Sequence, residues 1–192
     1  MDAKYEGDTI MEYIYLVRHC EATGQDSTCT LTENGKMQAI ELAEFFRTVP
    51  LNRIVCSPYK RAIESCKEIA DAKNIHIEYE PRLRERVLCE NELPDWKERL
   101  FHSFKDPDVK LAGGESSKEA AQRGVAVIKE VLDSEDTNTL IVTHGNLLTL
   151  ILNDFDDSYG YETWSKLTNP DVYCLIKDQD HINIERVWNV NQ

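Results

Sequence analysis

Strands alternating with amphipathic helices predict an α/β fold: a three-layer sandwich with a mainly parallel central sheet, helices on both faces, and a small excursion over the sheet's C-terminal edge. Three observations carry the prediction. The runs Tyr13–Val17, Arg53–Cys56 and Thr139–Val142 are short and β-branched, aromatic or aliphatic, as strands buried in a parallel sheet are. The segments between them repeat apolar residues at helical spacing. Each of the three runs also stops abruptly at polar groups: Arg18-His19, Ser57 with Arg61 just beyond, and Thr143-His144.

Composition bounds the class. The 192 residues fit one domain, 1–192, with a core of useful size, and 41% hydrophobic with 30% charged residues describes a soluble globular chain. A net charge of -13 argues against nucleic acid, which needs a basic face, but a few converging arginines can still bind a small anion. No apolar run approaches the length of a membrane span. Met1-Asp2-Ala3-Lys4 lacks the pattern of a signal peptide, so a cytoplasmic protein is expected. Cys20, Cys29, Cys56, Cys66, Cys89 and Cys174 show no C-x-x-C and no zinc spacing, which reads as free thiols. Nothing in the sequence sets an oligomeric state.

In chain order, residues 1–11 are polar and read as a loose extension. Tyr13–Val17 is the first strand, and Ala22–Ser27 a turn-rich loop. Thr30 with Glu33 matches a capping box opening a helix whose inner face is Ala39, Leu42, Ala43 and Phe46, closed by Pro50. Arg53–Cys56 is the second strand. Ser57-Pro58 reads as an N-cap and first helical residue, opening a helix to about Lys73 with Ala62, Cys66, Ile69 and Ala70 inward. Lys60 and Arg61 in its first turn oppose the helix dipole by about 0.3–1 kcal/mol each, so they are either solvated or compensated by an anion.

Ile75–Tyr79 is a third strand. From about 80 to 114 the pattern degrades around Pro81, Pro94 and Pro107, with a short helix over 95–102; this is the excursion, and its Trp96, Phe101 and Phe104 read as a small core of its own. Ser116 with Glu119 caps the next helix, whose inner face is Gly124, Val127, Ile128 and Val131. Thr139–Thr143 is a buried strand followed by a buried helix from Asn146. Val172–Ile176 and Ile182–Val187 form a closing hairpin.

Parallel strands place their C-terminal ends on one side of a sheet, where open α/β folds bind ligands, so His19, His144, Arg18 and Arg61 converge. Guanidinium forks match phosphate oxygens and remain charged at any working pH, and a neutral imidazole is a good nucleophile toward phosphorus. The arginines can supply the neutralisation otherwise given by magnesium. Metal coordination by His19 and His144 competes with this reading, although no third ligand is evident.

Leu16-Val17-Arg18-His19-Cys20-Glu21, Leu31-Thr32-Glu33-Asn34-Gly35 with Gln38-Ala39, Ser57-Pro58 with Arg61-Ala62, Leu83-Arg84-Glu85, Gly113-Gly114-Glu115-Ser116 and Thr143-His144-Gly145 together resemble the histidine phosphatase (phosphoglycerate mutase-like) superfamily. The resemblance implies His19 as the phosphorylated nucleophile, Arg18, Arg61 and His144 as a catalytic phosphate pocket, and Glu85 as proton donor, with no metal and no cofactor. Two departures stand out: Cys20 replaces the family's usual glycine beside the nucleophile, and Gln25 stands where many members carry a phosphate-contacting asparagine. A thiol mechanism of the Cys-x5-Arg type does not fit, because Cys56 to Arg61 is one residue short. Acting as an acid requires a raised Glu85 pKa, which Arg84 and Arg86 would oppose if both faced it. The expected activity is hydrolysis of small-molecule phosphate monoesters through phosphohistidine. A phosphomutase and a non-catalytic phosphate-ester-binding module are the alternatives.

Overall fold

The computed structural model describes residues 11–91, 93–179 and 181–188. Residues 1–10 of the expected extension lie outside them. Among the described residues, one sheet runs in the order β3 (Ile77–Tyr79), β2 (Arg53–Cys56), β4 (Asn138–Thr143), β1 (Glu12–Arg18), β5 (Asp171–Asp178), β6 (His181–Arg186). The first four are mutually parallel, and the hairpin β5–β6 adds antiparallel to β1.

Alternation along the strands divides the core. On β1, Ile14 and Leu16 pack with α4 (Ser117–Leu132) and α5 (Gly145–Phe155), whereas Tyr15 and Val17 pack with α1 (Glu33–Phe45) and α2 (Lys60–Lys73). Ile141 on β4 joins the first layer and its neighbours Leu140 and Val142 the second. The inner faces expected for α1 and α2 are the observed ones: Ala39 and Leu42, then Ala62, Cys66, Ile69 and Ala70, are buried. The α4 capping box is also present, with Ser116 Oγ accepting from the Glu119 N–H at 3.1 Å and the Ser116 N–H donating to Glu119 at 2.9 Å.

Two helix starts differ from expectation. The N-cap of α1 is Thr32, whose Oγ1 accepts from the Gly35 N–H at 2.9 Å, because the Thr30 carbonyl is already engaged by the Thr23 N–H. Gly35 lets the helix abut the chain leaving β1: a Cβ there would overlap the Glu21 carbonyl. Helix α2 begins at Lys60 with Tyr59 as its cap, and Ser57 is freed for another partner.

The excursion opens with a 3-10 turn at Pro81–Leu83 and contains α3 (Trp96–Lys105). Leu83 is fully buried, and its carbonyl accepts from Thr143 Oγ1 at 2.8 Å, so the segment is pinned to the end of β4. The excursion aromatics do not make a core of their own. Trp96 meets Trp164 at 6.0 Å between centroids and Phe101 meets Tyr161 at 5.0 Å, both edge-on, on the five-residue helix α6 (Tyr161–Ser165) that the sequence reading lacked.

Candidate active site

Register makes the convergence. Arg18 lies opposite Thr143, and Cys56 opposite Val142, so the residues that follow, His19, His144 and Ser57, leave the sheet along one rim. The His19 N–H donates to the Thr143 carbonyl at 3.0 Å, and the His19 carbonyl accepts from Asn169 Nδ2 at 2.7 Å, which fixes the His19 backbone on both sides.

The imidazole tautomer follows from its partners. His19 Nδ1 lies 2.6 Å from the Cys20 carbonyl, which can only accept, and Nε2 lies 3.1 Å from Arg61 Nε, which can only donate. The proton is therefore on Nδ1 and the lone pair on Nε2, facing the guanidinium. Burial, with help from the Arg61 and Arg18 charges and against the Cys20 hydrogen bond, drops the His19 pKa to about 3. A ring neutral in the fold but ordinarily titrating near 6.5 contributes stability that is full above pH 6.5 and lost as pH falls from there toward 3. In 15N spectra of the labelled imidazole, His19 should hold its neutral Nδ1–H tautomer down to about pH 4, and a midpoint near 6.5 would contradict this assignment.

Both pocket arginines are held by carbonyls instead of carboxylates. Arg18 Nη1 donates to the Leu167 and Thr168 carbonyls at 3.0 and 3.2 Å, and Arg61 Nη1 to those of Gln25 and Asp26 at 2.9 and 2.8 Å. Gly145 leaves room for the first: a Cβ there would stand 3.1 Å from Arg18 Nε. Burial lowers the pKa of each guanidinium, and Arg61 lowers that of Arg18 further, while Glu85 raises both. Among the described residues no acidic side chain hydrogen-bonds either one, so the two positive charges are incompletely neutralised.

His144 is fully buried, its ring 5.1 Å from that of His19, with Nε2 2.7 Å from Ser57 Oγ. Burial and the neighbouring His19, Arg61, Arg123 and Arg18 hold its pKa well below the usual imidazole range. Arg18 Nε, His144 Nδ1 and Asn146 Nδ2 are buried without a hydrogen-bond partner among the described residues. Buried polar groups are rarely left so. Orphaned atoms on Arg18 and His144, together with incompletely neutralised guanidiniums, suit a bound oxyanion.

Glu85 reaches the same rim from the excursion. Its Oε1 accepts from the Leu147 and Arg86 N–H groups at 3.0 and 2.9 Å, and its Oε2 from the Asn146 N–H at 3.1 Å, so the carboxylate sits on the first turn of α5. The flanking arginine side chains turn elsewhere. Arg84 donates to Glu115 at 3.2 Å, and Arg86 to Ser103 Oγ, Ser117 Oγ and the Glu115 carbonyl. Glu115, in the Gly-Gly-Glu-Ser motif, is bridged twice by Arg123 at 2.8 Å, and Arg123 also donates to the Arg82 and Arg84 carbonyls, locking the loop that carries Glu85.

Gln25, which stands where many members of the resembled family carry a phosphate-contacting asparagine, has an exposed side chain, and its carbonyl accepts from Arg61 Nη1. Cys20, which replaces the family's usual glycine, has its side chain buried in the layer beneath α1 and α2, its N–H donates to Ser65 Oγ, and burial pushes its thiol up to about 12. A thiol so buried and so little ionised is a poor nucleophile. Asn169 and the Leu167 and Thr168 carbonyls are components of the rim that no motif announced, and Ser57, noted as a strand ending and helix cap, meets His144 instead.

A buried neutral imidazole with its lone pair set against an arginine, a second histidine and a carboxylate on a helix N-terminus share this rim, and the family match places the chain among enzymes of the phosphatase or mutase kind. The chain belongs to the histidine phosphatase superfamily (branch 1), whose family model matches residues 14–190. A probable phosphoglycerate mutase GpmB of Enterobacter sp. (strain 638) is 30% identical over 162 residues, 74% of each chain. In fold, the chain is similar to Bacillus stearothermophilus YhfR (TM-score 0.78, 24% identity, 94% of this chain and 98% of that one). It is also similar to the mycobacterial glucosyl-3-phosphoglycerate phosphatase (TM-score 0.75, 22% identity, 93% and 99%). No described helix is long and apolar enough to cross a membrane.

Proposed function

We propose that the chain is a metal-independent phosphatase that hydrolyses small-molecule phosphate monoesters through phosphohistidine. The observation that carries this is the His19 tautomer, which leaves Nε2 unprotonated and directed at Arg61. In the first step Nε2 attacks phosphorus, the P–O bond to the alcohol breaks, and Glu85 gives its proton to the departing oxygen. Arg18, Arg61 and His144 stabilise the charge on the transferring group. In the second step Glu85 takes a proton from water, whose oxygen attacks phosphorus and releases phosphate and free His19. Six unpaired cysteines support a reducing, cytoplasmic setting.

Relatives named as probable phosphoglycerate mutases favour a second reading, in which the phosphoryl group returns to another hydroxyl of the same molecule. One assay separates them. Release of inorganic phosphate, followed over sugar, glycerate, nucleotide and aryl phosphates, should exceed isomerisation of a phosphoglycerate, and the reverse would select the mutase. Phosphate binding without turnover of any ester would reduce the chain to a binding module.

Activity should survive exhaustive chelation. Among the described residues no group of three His, Cys, Asp or Glu side chains could hold a metal, and the guanidiniums supply the charge. A large loss restored by magnesium or zinc would overturn the proposed roles of His19 and His144.

A further inference from the structure

We propose that Tyr59 is a positioning residue that holds Arg61 and His144 in their working geometry, an inference that rests on the phosphohistidine reading above. Tyr59 contacts both Arg61, in the first turn of α2, and His144, which directly follows β4. Its ring centroid is 5.0 Å from that of His144 at an interplanar angle of 65°, and the Arg61 guanidinium carbon lies 5.0 Å from the same ring. Its N–H donates at 3.3 Å to Ser57 Oγ, the atom that meets His144 Nε2 at 2.7 Å. The half-buried ring belongs to neither hydrophobic layer of the fold. Its packing partners at the rim are the groups of the site.

The consequence concerns Arg61. Its guanidinium is buried without a hydrogen-bonded carboxylate among the described residues, and its Nε must point at His19 Nε2 while Nη1 stays on the loop carbonyls of Gln25 and Asp26. Those three bonds engage Nε and Nη1 and leave Nη2 without a partner among the described residues. A π-face supplies electrostatic attraction to the cation and limits rotation of its plane without consuming any of its N–H groups, which a carboxylate in the same place would consume. The remaining donors stay available to phosphoryl oxygens. On the other side, the ring packs against that of His144, whose Nε2 is otherwise held only by Ser57 Oγ among the described residues. The Tyr59 hydroxyl has no partner among the described residues, so the face of the ring carries the effect and the hydroxyl is dispensable.

The test compares Tyr59→Phe, Tyr59→Leu and Tyr59→Met in the full chain, the last as an apolar replacement of similar volume should leucine fail to fold. Single-turnover formation of phosphohistidine from p-nitrophenyl phosphate should stay within about twofold of wild type in Tyr59→Phe and fall roughly tenfold in Tyr59→Leu and Tyr59→Met. The 15N resonance of His19 Nε2 should move toward the value of a free acceptor nitrogen in the leucine and methionine variants only, because the hydrogen bond from Arg61 loosens. Affinity for inorganic phosphate should weaken in parallel. Wild-type rate and wild-type resonance in either aliphatic variant would overturn the proposal, as would a Tyr59→Phe variant as damaged as the aliphatic ones. If the wild-type chain forms no phosphohistidine, the phosphatase reading fails by itself, and the resonance and phosphate affinity still decide whether Tyr59 positions Arg61.

Discussion

In His19→Ala, phosphate release should fall by on the order of 10⁴–10⁶-fold, the range expected when a covalent nucleophile is removed, and the acid-labile phosphoenzyme should vanish. The structure offers no substitute. His144 is the other imidazole at the rim, but its Nε2 is tied to Ser57 and it is fully buried. The Cys20 thiol faces the core with its pKa raised to about 12. Inorganic phosphate should nevertheless still raise the melting temperature of this variant, since Arg18 and Arg61 keep their carbonyl anchors when the imidazole is gone. Loss of both turnover and phosphate stabilisation would mean that the substitution had collapsed the pocket. Full activity would remove His19 from the mechanism and revive a metal or thiol pathway.

The four pocket residues were legible because each follows a strand whose apolar run announces itself, and parallel strands deliver their ends to one rim. The pairings of Arg18 with Thr143 and of Cys56 with Val142 convert that pattern into proximity. What was not legible is mostly backbone. The carbonyls of Leu167 and Thr168 that hold Arg18 come from 149 and 150 residues away, and a carbonyl has no residue-type signature. Gln25 illustrates the same limit, since its identity drew attention to the amide while its main chain meets Arg61. Ser57 carried a misleading signal: serine before proline is a good local cap, but a buried histidine nitrogen at 2.7 Å is the stronger partner. Likewise the helix α6 is too short for a periodic pattern, and it is packing by Tyr161 and Trp164 against the α3 aromatics that defines it.

Glu85→Gln should separate substrates by their leaving groups. Proton donation contributes about 10²–10⁴-fold where the departing oxygen is basic, and little where it is not. A sugar or glycerate alkoxide needs the proton, whereas nitrophenolate leaves without it. Phosphohistidine formation in single turnovers should therefore slow by about 10²-fold or more from alkyl esters and only a few-fold from p-nitrophenyl phosphate. The hydrogen bonds identify the oxygen concerned. Oε1 already accepts two N–H groups, from Leu147 and Arg86, whereas Oε2 accepts one, from Asn146, and keeps a lone pair for the proton in transit. The glutamine carbonyl can take over the role of Oε1 and keep the loop on α5, with the amide nitrogen at the Oε2 position. There it meets the Asn146 N–H donor to donor, a local cost that falls on every substrate alike. The leaving-group contrast, rather than the absolute loss, thus reports the proton. Equal slowing of both esters would mean that Glu85 serves to dock the excursion on the N-terminus of α5, and its role as general acid would be withdrawn.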